Sequence, residues 1–268
     1  MIAAPLAVVV VVSMVGLAGL YVGGILWGAR DVPLTPEAEA VRSLAALTVG
    51  GWAVLAVLLA ARGTFATHAD RFNPGVLVGL VAPILLGVLL FSTVGPLRTL
   101  ARAIPVPWLI GIQVYRVFGV TFVIAALQGR MPYEFALAAG LGDMAIGVLA
   151  PLVAIGLARG RRGARALAVA WNVAGIADLV VAVTLGVLTS PSTFQALALG
   201  HPNAAITRFP FVLVPVFAVP ASVLLHVLAL WRLRDPAPAA SVSRSRSGGT
   251  GSHTTVHPSA PRARPGRF

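Results

Sequence analysis

The chain has 268 residues, of which 58% are hydrophobic and only 10% are charged, whereas a soluble domain usually carries charge on about a quarter of its residues. The mean hydropathy is +0.91 and the net charge is +12, with arginine as the basic residue throughout. This composition excludes a soluble enzyme, a disordered chain and a coiled coil, and it predicts a membrane protein with several spans.

Seven apolar runs are long enough to cross a bilayer, which takes roughly 17–25 helical residues. They cover residues 2–28, 36–61, 74–95, 107–127, 133–157, 165–188 and 210–233. The first run is longer than the core of a signal peptide and follows no basic segment, so we count it as a span. Thr35-Pro36-Glu37 and Asn73-Pro74 supply helix starts for the second and third spans. The predicted fold is all-α, a seven-helix transmembrane bundle over residues 1–235.

Arginines near the span ends predict the orientation. In a seven-span chain the first, third and fifth loops share a side with the C-terminus. That side carries ten of these arginines and the other side carries four, with the loop at 159–165 dominating the difference. The positive-inside rule then predicts a cytoplasmic C-terminus and an external N-terminus. We expect a multi-pass protein of the cell (inner) membrane.

Residues 236–268 are rich in proline, serine, glycine and arginine and contain too few apolar residues to bury a core. They predict a disordered, basic cytoplasmic tail. Its arginines could contact anionic lipids, although a solvated tail without a specific partner is the simpler interpretation. The expected partner of the chain is the lipid bilayer, and nucleic acid is not expected because the basic residues flank the spans. The oligomeric state is open.

Three ionisable residues lie inside spans instead of at their ends: Arg116, Asp143 and Asp178. A lone charge at the bilayer centre costs on the order of 2.5–3.5 kcal/mol on insertion scales, so these residues should face one another or water. With a helical rise of about 1.5 Å per residue, all three fall near the midplane. Gln113 and Asn172 are predicted to join them because buried amides need partners. These five residues are the candidate substrate- or ion-binding site.

Small residues flank both aspartates in the same pattern. Residues 139–143 read Ala-Gly-Leu-Gly-Asp, and residues 174–178 read Ala-Gly-Ile-Ala-Asp. Small residues continue at four-residue intervals along both spans (139, 147; 174, 182, 186), which lets helices approach closely and predicts that each aspartate lies in an interior seam. Because consecutive spans are antiparallel, the echo looks like a one-helix inverted repeat, a feature that flanks midplane sites in many transporters.

The formal charges of Arg116, Asp143 and Asp178 leave one negative charge, so we expect a proton on one aspartate or a bound cation. One hypothesis is small-solute transport coupled to ions or protons, in which Arg116 holds an anionic group or neutralises an acid. The alternative is a non-catalytic scaffold or partner subunit in which the three charges only fix helix register. A third hypothesis is an intramembrane hydrolase built on the two aspartates.

No catalytic residue, cofactor or metal site is predicted. The chain has no cysteine and no H-E-x-x-H motif, and His226, the one histidine inside a span, cannot ligate haem alone. We expect His226 to be a hydrogen-bonded core or interface residue. Pro210, Pro215 and Pro220 predict either a packed kink or a discontinuous seventh span with free carbonyls.

Residues 140–143 read G-x-G-D, which looks like the second catalytic motif of intramembrane aspartyl proteases of the presenilin, signal-peptide-peptidase and prepilin-peptidase types. That resemblance implies two carboxylates that share a proton and activate water. The chain departs from the family pattern, because Tyr115 is followed by Arg116 where the first aspartate is expected and no P-A-L motif follows. These departures argue against a protease.

A longer pattern runs through spans four to six: Q-x-Y-R-x-x-G at 113–119, A-G-L-G-D at 139–143 and W-N-x-x-G-x-x-D at 171–178. It resembles uncharacterised bacterial multi-span integral membrane proteins. The resemblance implies a bacterial inner membrane protein and carries no activity with it.

Overall fold

The computed structural model describes residues 4–28, 33–69 and 73–234, and these residues form an all-α bundle. Seven segments within those ranges are long and apolar enough to cross a membrane, which confirms the predicted fold class: Pro5–Trp27, Pro36–Ala61, Gly75–Thr93, Val106–Leu127, Tyr133–Ala158, Ala164–Thr189 and Val214–Arg234. The protein is therefore a multi-pass membrane protein. The predicted tail at 236–268, and with it the division of the chain at 235, lies outside the described residues.

The described ranges contain nine α-helices and two irregular segments. The α-helices are α1 (Ala4–Trp27), α2 (Pro36–Ala61), α3 (Gly75–Thr93), α4 (Gly95–Ala103), α5 (Val106–Gly111), α6 (Val120–Leu127), α7 (Tyr133–Ala158), α8 (Ala164–Thr189) and α9 (Val219–Arg234). Helix starts follow the sequence signals, because Thr35 Oγ1 accepts the N–H of Ala38 at 3.3 Å and Asn73 Oδ1 accepts the N–H of Gly75 at 2.9 Å. We call the end of the bundle where α1 begins the N-side; the loops after the second, fourth and sixth spans lie there.

The short helix α4 between the third and fourth spans was not predicted. One of its two arginines, Arg98, donates to the carbonyl of Ser92 at 2.5 Å and so satisfies the exposed end of α3. From the last turn of α9, Arg232 donates to the carbonyls of Ala101 at 2.6 Å and Ile104 at 2.8 Å. Arginines that entered the sequence argument only as orientation signals therefore also join helix ends.

The fourth span is not one continuous α-helix, which corrects the uniform helical rise assumed for it. Residues Ile112–Gly119 form a 3₁₀ helix between α5 and α6. This winding rises about 2.0 Å per residue, whereas an α-helix rises about 1.5 Å. Arg116 still lies well inside the span, because only the residues from Ile112 onward depart from the α-helical rise.

The seventh span is neither broken nor simply kinked at its prolines. A π-helical turn, Val214–Ala218, leads directly into α9. The fourth and seventh spans are also the most buried, with 61% and 50% of their apolar windows inside the protein, whereas the value for the third span is 6%. The two irregular spans therefore form the centre of the bundle, where the polar side chains lie.

Candidate functional site

Arg116, in the middle of the 3₁₀ helix, is 2% exposed and bonds two carboxylates. Its Nε donates to Asp143 Oδ1 at 2.7 Å, and its Nη2 donates to Asp178 Oδ2. The structure thus brings together the three span charges from the fourth, fifth and sixth spans. The side chains of Asp143 and Asp178 are 16% and 15% exposed, so both carboxylates lie at the margin of the core and are not sealed within it.

The remaining guanidinium nitrogen of Arg116, Nη1, contacts His226 of α9, a residue that the site prediction omitted. Nη1 of Arg116 lies 3.2 Å from His226 Nε2 and 3.5 Å from the carbonyl oxygen of Gly175. His226 is fully buried, and its Nδ1 lies 2.9 Å from Asn172 Oδ1. Asn172 therefore joins the cluster through His226 and not through the ion pairs. The signal available in the sequence is a lone histidine in an apolar span, from which we predict only a hydrogen-bonded core or interface residue and not a member of the site.

Gln113 was predicted to join the charged cluster, and the structure does not bring it to the ion pairs. Its Nε2 donates to the carbonyl of Ser222 at 3.4 Å, and its buried Oε1 has no partner among the described residues. Between Gln113 and Arg116, the hydroxyl of Tyr115 contacts Ser222 Oγ and donates to the carbonyl of Ala218 at 3.3 Å. Gln113 and Tyr115 therefore fasten the 3₁₀ helix to the π turn and the first turn of α9.

Glycines explain how the 3₁₀ helix comes so close to α7. A Cβ placed on Gly119 would lie 2.5 Å from Asp143 Cβ and 2.8 Å from the carbonyl oxygen of Gly140. A Cβ on Gly147 would lie 2.6 Å from the backbone nitrogen of Val117. All three distances are shorter than a side chain tolerates, so the 3₁₀ helix and α7 approach each other closely along the seam predicted at residues 139, 143 and 147.

The prediction for the sixth span, that the small residues at 174, 178, 182 and 186 form the buried seam, is wrong by one position. Ala174 is exposed, and Gly175 instead lies against the His226 ring, where a Cβ would overlap the imidazole. The buried face of α8 runs through Trp171, Asn172, Gly175 and Leu179. This face is turned about 100° from the predicted one, because the ring of His226 fits only over a glycine. Asp178 consequently lies at the edge of the buried face.

A cavity of about 370 Å³ extends from the N-side loops down to Asp143. Its wall is mainly apolar, includes Phe122 and Phe135, and comes from the third to seventh spans. Hydroxyl and amide groups line the N-side end: Thr67, Asn73, Ser190, Ser192 and Thr207. Among the described residues that line this cavity, Asp143 is the one with a charge. The N-side cavity therefore leads to a single carboxylate.

A second, much smaller cavity of about 40 Å³ adjoins the N-side cavity, with which it shares Asp143 and four apolar lining residues. Arg116, Tyr115, Thr121 and Ser222 contribute polar groups to its mainly apolar lining. A space of this size can hold water, which needs only about 10–15 Å³ of such volume. Asp143 thus lines both the N-side cavity and a water-sized space beside Arg116.

The arrangement differs from that of an aspartyl dyad. A dyad requires two carboxylates that share a proton and reach one water, whereas Arg116 bonds Asp143 and Asp178 through two different nitrogens. The G-x-G-D resemblance is therefore not accompanied by the geometry of a protease. Within the described ranges, no group of three histidine, cysteine or acidic residues could hold a metal ion.

Residues 72–234, more than half of the chain, match the model of a family described as a domain of unknown function, DUF8737. The chain belongs to this family. The matched region of DUF8737 contains every residue of the charged cluster, and the first two spans precede it. No curated protein and no solved structure matches the chain. The function must accordingly be argued from the geometry of the cluster and its cavities.

Proposed function

We propose that the protein transports a small solute across a cell membrane and couples this transport to a proton or cation carried by Asp143 and Asp178. One observation carries the proposal: Asp143 is bonded to Arg116 and at the same time lines the N-side cavity. A carrier needs a midplane charge that a solute or ion can reach from one side of the membrane, and ionisable residues at this depth are typical of such pathways.

The contacts suggest different roles for the basic and acidic members. Arg116 is held by four acceptors, the two carboxylates, His226 and the carbonyl of Gly175, so it acts as a fixed counter-charge. It bonds one oxygen of each aspartate, and Asp143, which lines both cavities, keeps Oδ2 to take a proton or cation. Because the three formal charges sum to −1, binding one monovalent cation or proton neutralises the site.

The location and orientation belong to the same proposal. The arginine distribution favours an N-side outside the cell, and the resemblance to bacterial multi-span proteins favours the bacterial inner membrane. The N-side cavity would then face the exterior. A green fluorescent protein joined after residue 268 should fluoresce, and alkaline phosphatase joined there should be inactive, because the first folds in the cytoplasm and the second does not. The reverse result would overturn the orientation.

Ion flux tests the transport proposal directly. Proteoliposomes with trapped indicators for H⁺, Na⁺ or K⁺ are given an imposed membrane potential, and the rate of ion entry is compared with that of empty liposomes. We expect the wild type to admit at least one of these ions, and Asp143→Asn and Asp178→Asn to reduce that rate. Glu134→Gln is the matched control, since it removes an exposed carboxylate from the same helix as Asp143. Wild-type rates equal to those of empty liposomes for all three ions would overturn the proposal.

A scaffold or partner subunit is the second candidate, and one observation favours it. Each nitrogen of Arg116 already has an acceptor within the protein, as a purely structural charge cluster requires. In that case the aspartate variants should change the stability of the protein and leave ion flux at the level of empty liposomes. Flux in the wild type that disappears in Asp143→Asn excludes this alternative.

A further inference from the structure

We infer that the N-side cavity takes a lipophilic cation, a small amine or quaternary ammonium compound with an apolar body. The inference names the substrate class of the site proposed above and so rests on that proposal. Three features of the cavity support it. Asp143 gives its inner end, the floor, a negative charge, its wall is apolar, and polar groups at its N-side end, the entrance, already have hydrogen-bond partners.

The charge of the floor selects the sign of the ligand. Asp143 is the charged residue among the described lining of the N-side cavity, whereas Arg116 lines the adjoining small cavity. A cation placed beside Asp143 brings the local sum of Arg116, Asp143 and Asp178 to zero, whereas an anion brings it to −2. Charges in a weakly polar interior interact far more strongly than in water, so this difference favours the cation heavily.

The wall selects an apolar body. Apolar side chains make up most of the cavity surface, and its volume of about 370 Å³ lies within the range of small-molecule sites. On the wall, Phe122 and Phe135 stand edge to face with ring centroids 5.3 Å apart, and Phe135 lies about two turns of α7 from Asp143. These rings add aromatic surface that suits the apolar body of the ligand. A cationic head beside Asp143 with a hydrocarbon body along the wall therefore satisfies both parts of the cavity.

The polar groups at the entrance argue against a sugar or another strongly polar solute. The amide nitrogen of Asn73 already donates to the carbonyls of Thr64 at 3.0 Å and Ala66 at 2.9 Å. The hydroxyls of Thr67 and Thr207 bond each other at 3.0 Å. A polyhydroxyl compound would lose its bonds to water inside the cavity and find few replacements, which is costly.

A single-cysteine variant tests the sign of the ligand without touching Asp143. The chain contains no cysteine, so Ala182→Cys, on the cavity wall, gives one reactive thiol. Its rate of modification is measured with a cationic trimethylammonioethyl and an anionic sulfonatoethyl methanethiosulfonate, each normalised to its rate with a free thiol in solution. We expect a preference of about tenfold for the cationic reagent. A normalised ratio of one, or a preference for the anion, would overturn the inference.

Equilibrium binding tests the class itself. We expect benzyltrimethylammonium to bind the purified protein and to protect the cysteine at position 182. Tetramethylammonium, which lacks the apolar body, should bind about tenfold more weakly, and benzenesulfonate should give no protection. Asp143→Asn should weaken benzyltrimethylammonium binding about tenfold, and Glu134→Gln should leave it unchanged. Equal protection by benzenesulfonate, or equal binding by Asp143→Asn, would contradict the assignment.

The two proposals fail in different ways. Binding of benzyltrimethylammonium without ion flux in proteoliposomes would remove the transport proposal and keep the ligand class. Ion flux that depends on Asp143, together with the absence of cation binding and of reagent preference, would keep the transport proposal and remove the ligand class. If Asp143→Asn does not fold, the reagent ratio measured with Asp143 intact still decides the inference.

Discussion

Nη1 of Arg116 lies 3.2 Å from Nε2 of His226, and this contact determines which imidazole nitrogen carries the proton. A guanidinium can only donate, so Nε2 must accept and the hydrogen of the neutral ring must be on Nδ1. That hydrogen then points to Asn172 Oδ1 at 2.9 Å. One contact therefore orders a chain of donors and acceptors from Asp178 through Arg116 and His226 to Asn172.

The histidine tautomer is the first testable prediction. With ¹⁵N-labelled histidine at neutral pH, NMR should show one neutral ring with a protonated Nδ1 and a bare Nε2, and this signal should be absent from His226→Gln. The physical reason is the fixed donor on one side of the ring and the amide oxygen on the other. A ring protonated at Nε2, or at both nitrogens, would contradict the network described above.

Glycine substitutions test the close approach of α7 to the 3₁₀ helix. Gly147→Ala places a methyl group 2.6 Å from the backbone nitrogen of Val117, and overpacking of this kind costs about 1–3 kcal/mol. Gly156→Ala is the matched control on the same helix, because a Cβ there meets nothing within 4 Å. We expect a lower midpoint of thermal unfolding in detergent for Gly147→Ala and an unchanged or higher one for Gly156→Ala. Equal midpoints would mean that the two helices are further apart.

Replacement of Arg116 should show how far the two carboxylates depend on it. Removing one partner of a buried ion pair costs about 3–5 kcal/mol, and we expect about 2–3 kcal/mol for Arg116→Gln because the aspartate side chains are partly exposed. Arg116→Lys should be intermediate, since an ammonium group cannot reach all four acceptors. The measurement is the unfolding midpoint in detergent.

A charge-free variant provides the counterpart to Arg116→Gln. Combining Arg116→Gln with Asp143→Asn and Asp178→Asn removes the unpaired carboxylates, so most of the lost stability should return. A triple variant as unstable as Arg116→Gln would show that the loss comes from the shape of the arginine side chain and not from the uncompensated charges.

The hydroxyl of Tyr115 is predicted to stabilise the junction of the fourth and seventh spans. Tyr115→Phe removes its contacts with the carbonyl of Ala218 and with Ser222 Oγ, and we expect a loss of about 1–2 kcal/mol. Tyr133→Phe serves as the control because Tyr133 is 53% exposed. The midpoint of thermal unfolding in detergent should be lower for Tyr115→Phe than for Tyr133→Phe. A larger effect for Tyr133→Phe would remove the assigned role.

Much of this fold could be predicted from the sequence because membrane spans depend on local composition. Seven long apolar runs leave few alternatives in a bilayer, and their ends were recovered to within a few residues. The meeting of Arg116, Asp143 and Asp178 followed from a large energetic term, the cost of an isolated charge in hydrocarbon. Where one such energetic term dominates, the sequence and the helical rise are sufficient to predict which side chains meet.

The remaining features depend on packing between spans that are distant in the sequence. Nothing local indicates that 112–119 winds as a 3₁₀ helix, because tertiary contacts to α7 and α9 hold it there. The one-position error on α8 has the same origin, since the His226 ring selects Gly175 and not Ala174. The cavity above Asp143 is the space that five spans leave between them, and no single span encodes it.

The 3₁₀ winding of the fourth span links its length to the position of its charge. If Ile112–Gly119 were rewound as an α-helix, the segment would shorten by about 4 Å and Arg116 would swing roughly 80° about the span axis relative to Ile112. The guanidinium could not follow that swing and keep Asp143, Asp178 and His226 together. The winding of these eight residues and the two ion pairs of Arg116 therefore depend on each other, so neither can change while the other stays as it is.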